Sequence, residues 1–233
     1  MKNLLIITGA SQGIGKATAQ LFLDENWEVI NLSRTPCTLS SITNIAVDFS
    51  KQDWKTCLSK LISACQSAKK VSLVHNAACC FTDSIHTVKE DILTLSLHLN
   101  TIIPALLTQS LLTALPDHSS IIYIGSTLSE KAVPGVLSYV TSKHAIAGLM
   151  RATCQDIADT KLHTCCICPG VTDTKMLRER CQHDEALLQQ LKQLCGHNRL
   201  IEPKEIAKLI YFSANNAVIN GAIMHANLGQ IER

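Results

Sequence analysis

Tyr139 and Lys143 stand four residues apart in Ser138–Asp159, a segment whose apolar spacing is helical, so a phenol and an ammonium share one helix face. A phenol beside a cation can carry a proton to and from a substrate oxygen. Free tyrosine titrates near pH ~10, and lowering that by about three units takes roughly 4 kcal/mol. One cation at about 4 Å supplies about 4 kcal/mol at an effective dielectric of about 20, so Lys143 is sufficient in principle. Ser126, just after an apolar run that ends at Gly125, offers a hydroxyl to orient that oxygen and to stabilise alkoxide character. Such a set suits carbonyl reduction or alcohol oxidation. Taken singly, each residue has a plainer reading: a helical Tyr–Lys pair packs on a surface, and a serine after a strand makes a turn.

A second chemical signal lies near the start, in Thr8-Gly9-Ala10-Ser11-Gln12-Gly13-Ile14-Gly15. Glycines permit a tight turn and a close approach of backbone to a diphosphate. The helix that follows presents free N–H groups and a positive dipole end to an anion. The spacing is GxxxGxG rather than GxGxxG. A glycine turn is often only a helix entry; its place between a first strand and a first helix favours a nucleotide.

The elements that must hold these groups are short apolar runs alternating with longer helical patterns. The runs are Asn3–Thr8, Glu28–Leu32, Ile45–Asp48, Val71–His75, Ser120–Gly125, His163–Cys168 and Ala222–Ala226. Between them lie Ile14–Asp24, Trp54–Gln66, Ile85–Leu115, Ser138–Asp159 and Pro203–Phe212. Alternating strand and helix implies a mostly parallel sheet covered on both faces. Right-handed crossovers make it a doubly wound, Rossmann-type α/β fold in one domain, with seven strands. The segment 172–199, rich in charge and amides, breaks the alternation and reads as a substrate-side lid or an exposed helical pair.

The motifs in succession resemble the short-chain dehydrogenase/reductase family. TGASQGIG is similar to its cofactor loop, His75-Asn76-Ala77-Ala78 to its NNAG element, and Tyr139-Val140-Thr141-Ser142-Lys143 to its YxxxK motif. Asn100 falls at the family's catalytic asparagine, Ser126 follows the fifth strand, and Pro169-Gly170 with Thr174 follows the sixth. The resemblance runs from residue 4 to about residue 229; at the end, Asn227 stands for the usual Asp and Leu228 for a Gly. It implies that Asn100, Ser126, Tyr139 and Lys143 are catalytic, with Lys143 also on the nicotinamide ribose and Asn100 holding a water in a proton path. It implies a cofactor site of Gly9, Ser11, Gln12, Gly13, Ile14, Gly15, Ser33, Arg34, Asp48, Asn76, Ala77, Pro169, Gly170, Thr172 and Thr174. Asp48 would take the adenine amino group. Arg34 at the end of the second strand, where an acid would select NAD, implies NADP(H), since a guanidinium matches a phosphate bidentately. A surface arginine is the plainer reading.

The bulk numbers agree with a globular enzyme. The chain has 233 residues, 46% hydrophobic and 17% charged, with 21 basic and 19 acidic groups. That balance supports no nucleic-acid partner, and the apolar run Leu4–Ile7 is too short for a signal peptide. No run approaches the ~18 apolar residues of a membrane span, so neither membrane nor export is expected, and the protein is placed in the cytoplasm. Eleven cysteines then read as reduced thiols. Cys165 and Cys168, three apart on a strand, point to opposite faces and so make neither a redox pair nor a metal site. The expected substrate is a small carbonyl or alcohol, and the expected assembly a homodimer or homotetramer. An NADPH-binding regulator without turnover is the alternative, since fold alone does not fix function.

Overall fold

The computed structural model describes residues 1–182 and 184–230. Seven strands form one all-parallel sheet: β1 (Asn3–Thr8), β2 (Glu28–Ser33), β3 (Thr43–Ala46), β4 (Lys70–His75), β5 (Ser120–Ile124), β6 (His163–Pro169) and β7 (Ile223–Ala226). Their spatial order is β3-β2-β1-β4-β5-β6-β7. The order reverses between β1 and β4, which opens a crevice beyond Thr8 and His75 where such sheets bind ligands.

Side-chain alternation along each strand splits the core in two. Leu5 and Ile7 of β1, Val29, Val74, Ile122, Cys165 and Ile167 pack beneath α1 (Gly13–Asp24) and α8 (Pro203–Asn215). Leu4, Ile6, Leu32 and Leu73 face α2 (Leu58–Ser67) and α4 (Ile103–Leu111). Tyr123, Cys166 and Cys168 pack against α5 (Leu137–Asp156). Cys165 and Cys168 thus lie on opposite faces, as their spacing requires. Phe22, Trp27 and Tyr211 meet edge to face between α1 and α8.

Ile85–Leu115 is not one helix. α3 spans Glu90–Leu97, a π turn follows over His98–Ile102, then come α4 and a tight last turn at Leu112–Ala114. The run Glu90–Ala114 is long and apolar enough to cross a membrane by composition, but here it packs within the fold, with Ile103, Leu107 and Leu111 in the core. On the single chain Ile102 and Leu106 of this run are 45% and 39% exposed. Trp54–Gln66 is likewise divided, a tight turn over Gln52–Cys57 preceding α2. The segment 172–199 holds α6 (Lys175–Arg180) and α7 (Glu185–Gln193), joined over Cys181, Leu188 and Leu200. The segment is thus helical, as either reading of it allows.

Candidate active site

The glycine loop is folded by its own packing. Gly9 and Gly13 have φ of +74° and +55°, conformations that a side chain would strain. A Cβ on Gly15 would lie 2.3 Å from the Gly9 carbonyl oxygen and 2.6 Å from Asn76 Nδ2. Thr8 Oγ1 accepts from the N–H groups of Asn76 and Ala77 at 3.0 and 2.9 Å, and Asn76 Nδ2 donates to the carbonyls of Thr8 and Gly9. These bonds hold the ends of β1 and β4 at a fixed separation. Asn31, which the sequence reading missed, accepts from Ala10 N–H at 2.9 Å and fixes the loop from the β2 side. Ser11, Gln12 and Ile14 complete the turn into α1, whose start has no side-chain cap and no acid in its first turn. Its unpaired N–H groups and positive dipole therefore suit a diphosphate, and the cofactor fits this feature of the structure.

At the end of β2, Ser33 Oγ accepts from Asn31 Nδ2 and donates to the Thr35 carbonyl, so this hydroxyl holds the turn. Arg34 is exposed. Asp48 lies two residues beyond β3 rather than within it. Hydrogen bonds from the Ser50 hydroxyl and N–H hold its carboxyl below the usual range, and the charge of Arg34 adds to this. Lys16 of α1 reaches Thr38 at 2.9 Å, a second cation on this side that the sequence reading did not single out.

On the other side of the crevice, Ser126 is extended and caps the turn Thr127–Ser129. Its hydroxyl favours the ionised form of the Tyr139 phenol. Burial pushes the Tyr139 phenol above its ordinary value; the Cys80 thiol adds to the rise, and the Ser126 hydroxyl opposes it. Lys143 is buried, donates to the Ile124 carbonyl at 2.7 Å and lies 5.4 Å from the centroid of the Tyr139 ring. Burial lowers its affinity for a proton. The expectation that Lys143 by itself brings the phenol down is therefore corrected: the protein's own groups leave it raised, because desolvation outweighs them.

Asp83 sets the start of α5, and no motif announced it. Its buried carboxylate accepts from Ser138 N–H at 3.1 Å and from the Ser138 hydroxyl, while its backbone pairs with Gly135 and Leu137. A carboxylate at a helix N-terminus is favoured by the dipole, and this one fixes the turn that carries Tyr139. Asn100 sits in the π turn with its amide engaged: Oδ1 accepts from Cys79 N–H at 2.8 Å, and Nδ2 donates to the Cys79 carbonyl and to Ser142 Oγ, each at 2.9 Å. It braces the segment after β4 against α5. Cys79 and Cys80 are half-buried beside Lys143, and Cys166 and Cys168 approach it from β6 with their sulfurs 3.8 Å apart.

Beyond β6, Gly170 N–H bonds the Ala226 carbonyl, and a Cβ on Gly170 would lie 2.8 Å from the Asn227 Cα. Pro169 is buried at the strand end. Thr172 donates to the Gly170 carbonyl, so its hydroxyl serves the backbone. Thr174 caps α6, and its methyl would be 3.2 Å from a Cβ on Gly13. That contact closes the β6 loop over the glycine turn. Residues from β1, β2, β4, β5, α5 and β6 thus meet along one edge of the sheet. Among the described residues, no group of three His, Cys, Asp or Glu is placed to hold a metal.

The family model described as "short chain dehydrogenase" matches residues 3–185. The chain belongs to the short-chain dehydrogenase family. Among its relatives is "Dehydrogenase/reductase SDR family member 6" of Xenopus laevis, 26% identical, with 91% of this chain and 90% of that protein covered. Two solved structures share the fold. ElxO with NADP bound is 22% identical with a TM-score of 0.87 and 98% of each chain covered. 4-Hydroxyisoleucine dehydrogenase complexed with NADH is 21% identical, also with a TM-score of 0.87, covering 97% of this chain and 98% of that one. Family membership places the protein among the oxidoreductases. Within this family's pattern the chain departs at His75. Its ring is stacked on Tyr123 at 5.0 Å between centroids, and its Nε2 pairs with Thr108 at 2.8 Å.

Proposed function

We propose that this short-chain dehydrogenase interconverts a small carbonyl compound and its alcohol with NADP(H), and that Tyr139 carries the proton. The observation behind this is Lys143 placed 5.4 Å from the centroid of the Tyr139 ring, one helical turn along α5, with Ser126 after β5 at the same carboxyl end of the sheet where the strand order reverses. The cofactor, when bound, supplies or takes the hydride. Ser126 donates to the substrate oxygen and orients it. In reduction Tyr139 gives its proton to that oxygen as the carbon gains hydride; in oxidation the proton returns. Lys143 holds the nicotinamide ribose and adds positive charge beside the phenolate. Lowering the phenol from its raised value takes that charge together with that of the oxidised nicotinamide. Asn100 acts on this arrangement by bracing Cys79 and Ser142, and a water in a proton path would sit beside it.

Arg34, with Lys16 nearby, supports NADPH over NADH, since both lie on the adenosine side and no acid ends β2. The exposed Ile102 and Leu106 support a homodimer or homotetramer through the α3–α5 side. All eleven cysteines are free thiols, which suits a reducing cytoplasm. The direct test is NADPH consumption with a panel of ketones, aldehydes and quinones. Turnover of at least one of them with loss on Tyr139→Phe is expected; NADPH binding with no turnover on any would favour the regulator.

A further inference from the structure

Ser138 and Ser142 of α5 each stand one residue before a member of the Tyr139–Lys143 pair. They too are four apart, so they share a helix face, turned by about 100° from that of the pair. Both are fully buried, and three side chains of the α3 run reach them. Ser96 Oγ donates to the Ser138 carbonyl at 3.2 Å, Asn100 Nδ2 to Ser142 Oγ at 2.9 Å, and Thr101 Oγ1 to the Ser142 carbonyl at 3.1 Å. A hydroxyl inside a helix ordinarily bonds a carbonyl of its own preceding turn, as Thr141 does with Leu137 and Thr153 with Leu149. Ser142 does this with the Tyr139 carbonyl at 2.8 Å, but its oxygen also accepts from another element.

The backbone fixes the direction of these bonds. Cys79 N–H donates to Asn100 Oδ1, so the amide must turn its NH2 toward Ser142. Ser142 Oγ therefore accepts from Asn100, and its single proton goes to the Tyr139 carbonyl. One chain of bonds thus runs from the Cys79 backbone through Asn100 and Ser142 to the backbone of Tyr139. Asn100 and Ser142 are both buried, so a lost partner leaves a polar atom unpaired. The far end of the chain is the segment after β4, where Asn76 and Ala77 are bonded to Thr8 at the glycine loop. The chain therefore joins the cofactor side of the crevice to the turn of α5 that carries the phenol.

We propose that Ser142 is a positioning residue: it sets where the Tyr139 phenol stands relative to the nicotinamide by tying its turn of α5 to the end of β4, and Thr101 secures the same turn. A reacting group misplaced by about 1 Å costs about 100-fold in rate. A phenol that stands farther from the oxidised nicotinamide also holds its proton more tightly, since it loses a neighbouring positive charge. The proposal rests on the reading of Tyr139 above and adds to it the groups that hold Tyr139 in place.

Two measurements test it. The first is kinetic, on a substrate already shown to turn over. Ser142→Ala should lower kcat by about 10- to 100-fold, with little change in either KM, and move the pH profile of alcohol oxidation to higher pH. Thr101→Val, which removes one bond and keeps the shape, should act in the same direction by less, and Thr101→Ser should restore kcat. Thr153→Val takes a buried hydroxyl from the far end of the same helix; it should lower the melting temperature and leave kcat and the pH profile alone. A lower melting temperature with unchanged kcat in Ser142→Ala, a rise confined to the KM for NADPH, or an equal loss of kcat in Thr153→Val would overturn the proposal. Should Ser142→Ala not fold, the two Thr101 variants decide it, and unchanged kcat in Thr101→Val contradicts it. The second measurement needs no turnover. With NADP+ bound, the ultraviolet absorbance of the Tyr139 phenolate is followed against pH, with Tyr139→Phe as the blank. Ser142→Ala should raise the pH at which this phenol ionises, and the same pH in both proteins contradicts the positioning role. If Tyr139→Phe keeps full turnover while this shift is still seen, the proton role of Tyr139 fails and the positioning by Ser142 stands.

Discussion

At the scale of single residues, the site sets burial against charge. Tyr139 is raised by desolvation, and the pull that must lower it comes from cations placed late in the crevice. Arg34 stands at the other end, where one exposed guanidinium is to discriminate between two cofactors. Arg34→Ala should remove about 1.5–3 kcal/mol from NADPH binding while leaving NADH binding nearly unchanged, as one lost charge-assisted contact. Dissociation constants for both cofactors check this, and equal values in the unmodified protein would contradict it. Asp83 acts through helix geometry. Asp83→Ala removes the cap of α5, at about 0.5–2 kcal/mol, and should lower both the melting temperature and kcat. His75 gives a pH signature. Its buried ring is held neutral, with its pKa pushed down to about 3 by desolvation, and its Nδ1 has no partner. A depressed folded value means that the unfolded chain binds the proton more tightly. Stability is therefore complete above the ordinary value of about 6.5 and is lost as pH falls toward the folded value. His163 is depressed as well, first by burial, and adds to the same acid loss. Melting temperatures from pH 7 downward should fall, and His75→Gln should flatten that fall in part but not wholly.

At the scale of elements, the strands and the glycine loop were legible because each carries its own local rule. β1 reads as an unbroken apolar run since both its faces are buried, and Gly9, Gly13 and Gly15 stand where φ or close backbone approach excludes a side chain. Tyr139 and Lys143 were legible by helical spacing, whereas Asp83 was not, because it lies in a loop 55 residues from Ser138 and only the fold brings them together. The break at His98–Ile102 had a local signal in Pro104, which lacks the N–H that would bond the Asn100 carbonyl and whose ring crowds it. What the sequence did not show is where the Asn100 amide goes, which is to the Cys79 backbone. The Ser33 and Thr172 hydroxyls also turned out to serve local backbone, which residue type alone does not reveal. Asn100→Ala should leave the Cys79 N–H and carbonyl without partners, at about 1–3 kcal/mol for each buried group. The variant is expected to melt several degrees lower, and hydrogen exchange should quicken at Cys79 more than in β1. An unchanged melting temperature would show that Asn100 does not brace this segment.

At the scale of the whole molecule, one face of the α3–α4 run is left apolar and open, with Ile102 and Leu106 exposed beside residues that position Asn100. Closed two-fold pairing is the common way to cover such a face. Light scattering should report at least twice the 25.4 kDa of one chain at micromolar concentration, and Leu106→Glu should shift the population toward the single chain. A 25.4 kDa particle in the unmodified protein would contradict this assembly. Assembly and activity are separate claims, and activity rests on one hydroxyl. Tyr139→Phe removes that hydroxyl and keeps the ring. With a substrate already shown to turn over, the variant should keep its melting temperature and its affinity for NADPH while kcat falls by about 100-fold or more, the usual scale for a positioned acid–base group. Near-full kcat in Tyr139→Phe would mean that the proton comes from another group and that the catalytic role given to Tyr139 is wrong.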